Sequence, residues 1–374
     1  MKLGTKKTAY VFQHSGFTTD VLFDLGPERE RCERDLSEAG VPLPLPHRST
    51  WAQLLSSGRP WFVRVRDAGG TCCCGFALEV ADSRVLPGHL LLRVERFSAA
   101  LTSRAREAGL RALTEFARRY PRVLRVYLEV FSRDPAIREQ VARTAMALGF
   151  RRQRWSRLYT ATPVLDLTRP EPEILSSLHP TGRRHIRALD KKGFALRRVS
   201  DLSYGNRMDM LLTETMARTG GQPTKHDWVS MIEFSNRYPA LSRLAGTFEP
   251  DVDTPEDLVA FAWGTAHGDH ATYSTAASTR RTGSKVPVGY GPMWDLIRWA
   301  KLNGCTWFDL GGITPEIAGN EDPLRGISDF KQFFSKEVVQ VGEEWILEPN
   351  PVRGRLSRAL SGSAAWLRAK VLRR

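Results

Sequence analysis

The residues best suited to chemistry lie in one stretch, 307–334, with the sequence WFDLGGITPEIAGNEDPLRGISDFKQFF. Its first half places Asp309 within an apolar run, followed by Gly311 and Gly312. A glycine pair directly after a strand lets the backbone adopt a positive φ or approach a ligand closely. Its second half places Lys331 among aromatic and aliphatic neighbours. A cation fixed in an apolar frame is suited to holding an anionic substrate group.

Two strands and one helix precede this stretch and are expected to position it. The sequence predicts strands over 258–267 and 270–276, paired across a turn at Gly268–Asp269. Tyr273 lies on the second strand, where a tyrosine is usually half-buried packing with a bonded hydroxyl. A helix over 293–303 follows, because its apolar residues recur at helical spacing.

The first part of the chain shows a comparable alternation of strands and helices. The predicted elements are strands over 61–65, 71–80, 90–94 and 123–131 and helices over 102–119 and 134–146. With 374 residues, the chain is long enough for two domains.

Two blocks of sequence resemble the Fem family, the non-ribosomal peptidyltransferases that move an amino acid from aminoacyl-tRNA onto an amine of a peptidoglycan precursor. The pattern F-D-L-G-G-I, a variable loop and then G-I-x-x-F-K-x-F-F resembles the end of the second domain of that family. The segment 179–198, HPTGRRHIRALDKKGFALRR, resembles the family segment that follows the passage between the domains. The two blocks occur in the family's order, and the resemblance covers roughly residues 160–345.

The resemblance implies an α/β fold with mixed sheets and two tandem domains like those of GNAT acyltransferases. The first domain is expected over residues 1–160 and the second, with the family motifs, over 161–345. The segment 346–374 is expected to pack on the first domain. No heptad run is present, so the coiled-coil arm that some family members insert is not expected.

The resemblance also implies roles for individual residues. Phe330 and Lys331 match the family's pair near the tRNA acceptor end, and Arg218 resembles an arginine that contacts precursor phosphates. Tyr273 resembles a tyrosine that lines the substrate channel. Asp309 is a candidate general base by position alone, since it can equally be a strand-end carboxylate that accepts backbone N–H groups. The N–H groups around Gly311 and Gly312 are candidates for binding an oxyanion.

Basic residues are concentrated rather than spread evenly. The chain has a formal net charge of +14 and a pI of about 9.9, which favours a polyanionic partner. Residues 151–200 contain twelve Lys or Arg against four Asp or Glu. A helix predicted over 181–192 contains Arg183, Arg184, Arg187 and Lys191. Of these, Arg183, Arg187 and Lys191 are four residues apart and share one face. This face is either solvated with counter-ions or a phosphate-binding surface.

Several other classes of site and location are disfavoured by the sequence. It contains no H-E-x-x-H, Walker or G-x-S-x-G motif, and no histidine or cysteine spacing typical of a metal site. The five cysteines, including the consecutive Cys72–Cys74, suggest small packing residues and no secreted disulfide framework. No apolar run approaches a membrane span, so a cytoplasmic protein is expected. The basic segment 352–374 either contacts an anionic membrane at its inner face, docks back on the first domain as a helix, or is a frayed basic tail.

The resulting prediction is an aminoacyltransferase that needs no metal or other cofactor. Aminoacyl-tRNA is the expected co-substrate, and lipid II or its nucleotide precursor is the expected acceptor. Three alternatives stay open: an N-acyltransferase that uses acyl-CoA, a tRNA-dependent enzyme that modifies a small metabolite, and a binding protein with an inert acyltransferase fold. In the first domain, the segment Ser98–Arg104 lacks the glycines of an acetyl-CoA pyrophosphate turn, which disfavours coenzyme A there. The sequence predicts no particular oligomeric state.

Overall fold

The computed structural model describes residues 9–23, 26–54, 61–153, 157, 159–220, 225–250, 254–280, 286–313 and 325–360. These residues form two compact units. The first unit combines the described residues up to 157 with those from Val341 onward. The second unit is Tyr159–Gln340. Each unit has its own mixed sheet and its own apolar core.

The sheet of the first unit has eight strands among the described residues, in the order β1-β2-β3-β4-β5-β6-β15-β7. The strands are β1 Ala9–His14, β2 Phe17–Leu22, β3 Trp61–Arg66, β4 Cys72–Asp82, β5 Leu90–Phe97, β6 Val123–Phe131, β7 Arg151–Arg152 and β15 Gly342–Leu347. The helices are α1 Pro27–Glu38, α2 Ser49–Leu54, α3 Ser103–Arg119, α4 Pro135–Ala147 and α11 351–360, with a 3-10 turn at Leu45–His47.

A strand–helix–strand crossover, β5–α3–β6, forms the centre of this unit. β5 and β6 are parallel, and parallel neighbours require a crossover, here made by α3. α3 begins where the Thr102 hydroxyl accepts a hydrogen bond from the Ala105 N–H at 3.1 Å. Its apolar face, with Leu113 and Phe116, is buried in the core of the unit.

The sheet of the second unit has seven strands in the described chain, in the order β14-β8-β13-β12-β11-β10-β9. The strands are β8 Ala161–Asp166, β9 Ala195–Arg198, β10 Ser242–Phe248, β11 Leu258–Ala266, β12 His270–Ser278, β13 Trp307–Asp309 and β14 Val338–Gln340. The helices are α5 Glu171–Ser177, α6 Pro180–Lys191, α7 Tyr204–Thr219, α8 Trp228–Arg237, α9 Tyr290–Leu302 and α10 Arg325–Gln332, with a 3-10 turn at Pro255–Asp257.

The second unit contains the same kind of crossover, β12–α9–β13. β11 is buried along its whole length, as expected for a strand covered on both faces. β12 is antiparallel to β11 and parallel to β13, and α9 connects the parallel pair. The predicted apolar stripe of α9 is confirmed, since Met293, Ile297 and Ala300 are buried in the core of the unit.

Three features differ from the sequence expectations. β15 lies in the sheet of the first unit, although the second domain was expected to extend to residue 345. The hairpin β1–β2 was not predicted, because Thr18, Thr19 and Asp20 break its apolar pattern. Cys72 is joined to Cys32 by a disulfide bond between β4 and α1, whereas all three consecutive cysteines were expected to be packing residues. No described helix is long and apolar enough to span a membrane.

Candidate active site

The candidate site lies where β12 and β13 separate. The two strands pair only from His270–Thr272 to Trp307–Asp309, and β12 then continues to Ser278. The register of β11 against β12 shifts beside Tyr273, because Trp263 pairs with Thr275 and Gly264 with Tyr273. Such a bulge turns the strand and re-aims the side chains beside it. The carboxyl ends of parallel strands are the common place for ligands in open α/β sheets.

Asp309, the last residue of β13, is fully buried and accepts hydrogen bonds from neutral donors. Its Oδ1 accepts from the Thr162 hydroxyl at 2.6 Å and the Gly311 N–H at 2.8 Å. Its Oδ2 accepts from the Tyr159 hydroxyl at 2.5 Å and the Thr272 hydroxyl at 3.1 Å. Two bonds to each oxygen use the roughly four lone-pair positions of a carboxylate. Asp309 therefore connects β8, β12 and the chain leaving β13.

The glycine pair is required by both backbone conformation and space. Gly311 has a φ of 77°, which lies in the left-handed region that favours glycine. A Cβ at Gly311 would lie 3.2 Å from Lys331 Nζ and 3.3 Å from the Tyr273 carbonyl oxygen. A Cβ at Gly312 would lie 2.4 Å from the Cβ of Tyr159, closer than real contacts allow. The pair thus lets this turn pack tightly between its neighbours.

Lys331 reaches this turn from α10 and is 6% exposed. Its Nζ donates to the Gly312 carbonyl at 2.6 Å and lies 5.4 Å from the centre of the Tyr273 ring. Burial lowers the pKa of Lys331 to about 8, while the charge of Asp309 acts in the opposite direction. Burial also raises the pKa of Tyr273 to about 12. At neutral pH the site therefore combines an ammonium group with a neutral phenol.

Phe330 points into an aromatic cluster rather than toward the glycine turn. Its ring packs against Tyr290 at 5.0 Å and Phe334 at 5.3 Å between ring centres. Tyr290 also contacts Phe333. This cluster fixes α10 on the core of the second unit, so Phe330 holds the helix from which Lys331 extends.

The arginines of α6 differ in their contacts and in their exposure to solvent. Arg183 is directed back onto α5, where its Nη1 donates to the carbonyl oxygens of Ser176 at 2.5 Å and Leu178 at 2.6 Å. Nη1 of Arg183 thus satisfies carbonyls at the end of a helix, although the sequence pattern placed Arg183 on one face with Arg187 and Lys191. The side chains of Arg184 and Arg187 are exposed on the same helix.

Arg218 lies apart from the glycine turn, near the far end of β12. Its Nη2 donates to the Ser278 carbonyl at 3.2 Å. Burial and the charge of the neighbouring Arg280 lower the pKa of Arg218. Ser278 is five residues beyond Tyr273, which along a strand corresponds to roughly 16 Å. Arg218 on α7 and Arg280, two residues after β12, therefore form a second basic point beside the far end of that strand.

The structure brings together Asp309, Gly311, Gly312, Lys331 and Tyr273, and adds three residues that sequence reasoning missed. These are Tyr159, Thr162 and Thr272, which all donate to Asp309. Thr272 is paired with Asp309 across β12 and β13, Thr162 lies on β8 two residues from Val164, the partner of Asp309, and Tyr159 lies just before β8. A hydroxyl-bearing residue on each strand beside a buried aspartate is the signal that would have indicated them. Within the described residues, no group of His, Cys, Asp and Glu side chains is arranged to hold a metal ion.

Comparison with known proteins supports the fold. No protein-family model matches the sequence, and no curated protein matches it. Among solved structures, FemX is similar over 89% of this chain and 98% of its own, with a TM-score of 0.68 and 15% identity. A conserved protein of unknown function from Bacteroides thetaiotaomicron is similar over 87% of this chain and 98% of its own, with a TM-score of 0.51 and 11% identity.

The chain has a Fem-like fold. The predicted fold class, two tandem GNAT-like α/β domains, is confirmed. The motifs that suggested the Fem family, FDLGGI and the Phe330–Lys331 pair, lie at the carboxyl end of the parallel strands in the second unit.

Proposed function

We propose that the protein is an aminoacyltransferase that moves an amino acid from tRNA onto an amine of a peptidoglycan precursor. The observation that supports this most directly is the meeting of both ends of the stretch 307–334. The Lys331 ammonium contacts the Gly312 carbonyl beside Tyr273, where β12 and β13 separate. The resemblance of Phe330 and Lys331 to the family's pair near the tRNA acceptor end supports the same proposal.

Lys331 holds an anionic group of the tRNA acceptor end. An ammonium has three donors, and the Gly312 carbonyl takes one of them. The remaining donors suit a phosphate, and the low polarity around a buried cation strengthens that interaction. The lysine's lowered pKa, about 8, leaves the charged form dominant at neutral pH. We therefore assign Lys331 to binding and orienting the donor.

Asp309 positions the turn and does not accept the proton of the attacking amine. Its oxygens already accept from two hydroxyls, a phenol and a backbone N–H. A carboxylate bonded in this way holds Gly311 and Gly312 in place beside the reacting carbonyl. The aminoacyl ester is already activated, so the reaction needs positioning, proton removal and oxyanion stabilisation. A carboxylate of the acceptor takes the amine proton as the C–N bond forms, and the ribose oxygen of the tRNA takes up a proton when the ester C–O bond breaks.

The exposed side of α6 is the proposed binding surface for the tRNA backbone. Arg184 and Arg187 are exposed one turn apart, and Lys191 follows on the same helix. Phosphate contacts of this kind are independent of sequence and weaken as salt is added.

The test is single-turnover transfer with the purified chain. A pool of radiolabelled aminoacyl-tRNAs is mixed with lipid II, its nucleotide precursor or an extract of small metabolites. Label on either precursor supports the proposal, and label only on a metabolite keeps the chemistry but changes the acceptor. Failure with every tRNA, together with turnover of an acyl-CoA, would contradict the proposal and favour an acyl-CoA-dependent N-acyltransferase.

A further inference from the structure

Helix α11 is attached to the first unit by one side and exposes an apolar stripe on the other. Gly354 and Ser357 are buried on the attached side. A Cβ at Gly354 would lie 2.7 Å from the Glu348 side chain, so the helix packs closely there. The stripe consists of residues spaced four apart, which lie on one line of a helix. These are Val352, Leu356 and Leu360, which are 73%, 49% and 42% exposed.

Basic residues lie beside this stripe, and the acidic residue just before α11, Glu348, is paired with three arginines. Residues 349–374 contain seven Lys or Arg and no Asp or Glu. Glu348 accepts from Arg125 at 2.8 Å and Arg151 at 3.0 Å, and it also pairs with Arg358. One carboxylate among three guanidinium groups cannot neutralise the segment. Arg355 is exposed and lies next to Leu356.

We propose that α11 docks the protein on a bilayer that contains anionic phospholipid. Apolar side chains enter the boundary between headgroups and acyl chains, and arginines contact the headgroup charge. An RNA partner would contact the arginines, but it would not explain why the apolar stripe is exposed. Three side chains are also far fewer than the roughly 20 per side of a stable protein interface.

The sequence after α11 has the same composition. It contains Trp366, Leu367 and Val371 together with Arg368 and three further basic residues. Tryptophan is enriched at membrane–water interfaces. Resting on the proposed function, docking implies that the acceptor is the lipid-linked precursor rather than the soluble nucleotide form.

The experiment is co-sedimentation of the full chain with vesicles. Vesicles of phosphatidylcholine alone are compared with vesicles that contain roughly 30% phosphatidylglycerol, a range in which a surface potential develops. Wild type is expected to bind the anionic vesicles only. Leu356→Glu is expected to weaken binding about tenfold, since it replaces an inserted apolar group by an anion. Arg355→Gln is expected to weaken it about fivefold, the effect of one surface charge.

Leu302→Glu is the matched control, because Leu302 is 82% exposed and lies in the second unit. It should bind vesicles as wild type does. The proposal is overturned if wild type ignores anionic vesicles, if Leu356→Glu binds them fully, or if Leu356→Glu only converts a dimer to a monomer. Transfer to lipid II dispersed in detergent, which needs no bilayer docking, should be unchanged in Leu356→Glu. Vesicle binding without transfer would retain the docking and refute the proposed function.

Discussion

The two units use the same crossover differently. In β5–α3–β6 of the first unit, the end of the parallel strands is filled by a side chain: Arg96 lies 4.0 Å from the centre of the Phe131 ring and is 9% exposed. In β12–α9–β13 of the second unit, the corresponding strand end is followed by Gly311 and Gly312. The first strand end is closed by a side chain, whereas at the second the glycines let the backbone turn pack directly against Lys331, Tyr273 and Tyr159.

The buried carboxylates of the two crossovers differ in the same way. Glu129 on β6 accepts from the Arg93 guanidinium, and burial still raises its pKa. Asp309 on β13 accepts from hydroxyls and a backbone N–H. In the first unit, the carboxylate of Glu129 is therefore paired directly with the guanidinium of Arg93. The second unit keeps its cation, Lys331, bonded to a carbonyl and so able to bind an anion.

The largest expected difference is in turnover when the cation of each strand end is removed. Lys331→Met should lower kcat/KM for transfer about 100-fold, because the charged group that binds the donor is removed. Arg96→Met should leave kcat/KM within about twofold. Single-turnover transfer measures both, and thermal unfolding confirms that each variant folds. Equal reductions in the two variants would show that the second unit has no special role.

A second contrast concerns the two buried carboxylates. Asp309→Asn places an amide N–H₂ among donors and should cost about 2–4 kcal/mol of unfolding free energy and abolish transfer. Glu129→Gln keeps an acceptor for Arg93 and should cost about 1 kcal/mol with transfer retained. Urea unfolding gives the free energies. A fully active Asp309→Asn would contradict the positioning role.

Backbone strain and close packing can be separated with two glycines of equal conformation. Gly311 and Gly304 both have a φ of 77°, but a Cβ at Gly304 meets nothing within 4 Å. Gly304→Ala should cost about 1–2 kcal/mol from the left-handed backbone alone. Gly311→Ala should cost about 1 kcal/mol more, because its Cβ presses on Lys331, and should also lower transfer. Identical effects would exclude close packing at the turn.

The lowered pKa of Lys331 predicts a stability change at alkaline pH. Between about pH 8 and the ordinary value of 10.5, the unfolded chain binds a proton that the folded chain has released. Unfolding free energy therefore rises with pH in this window, by at most about 1.4 kcal/mol per unit. Lys331→Met should lack this rise, and wild-type transfer should fall above about pH 8. Parallel stability curves for both proteins would contradict the assignment.

The sequence predicted the elements whose signals are local. α3 occupies Ser103–Arg119, close to the predicted 102–119, and Thr102 caps it by accepting a hydrogen bond from the Ala105 N–H at 3.1 Å. β11 and β12 were likewise recognisable from a two-residue turn. The stretch 307–334 was also identified, although part of its loop, 314–324, lies outside the described residues.

What could not be predicted depends on strand pairing over long distances. Tyr159 reaches Asp309 across 150 positions, and neither residue signals the other in the sequence. Arg183 has the spacing of a surface cation, but its Nη1 donates to the Leu178 carbonyl oxygen at the end of α5. A periodic pattern shows which side chains share a face of a helix, but it does not show which other element those side chains contact.

The smallest expected effect is on tRNA binding. It tests whether basic residues of α6 contact tRNA phosphates while a basic residue of the first unit does not. Arg184→Gln combined with Arg187→Gln should reduce the slope of log affinity for tRNA against log salt by roughly 1 for each phosphate that is no longer bound. Arg143→Gln on α4, whose side chain is 71% exposed, should leave the slope unchanged. Filter binding at several salt concentrations measures the slopes. If Arg143→Gln reduces the slope as much as the substitutions on α6 do, tRNA is attracted by the basic surface in general, and α6 is not its specific binding surface.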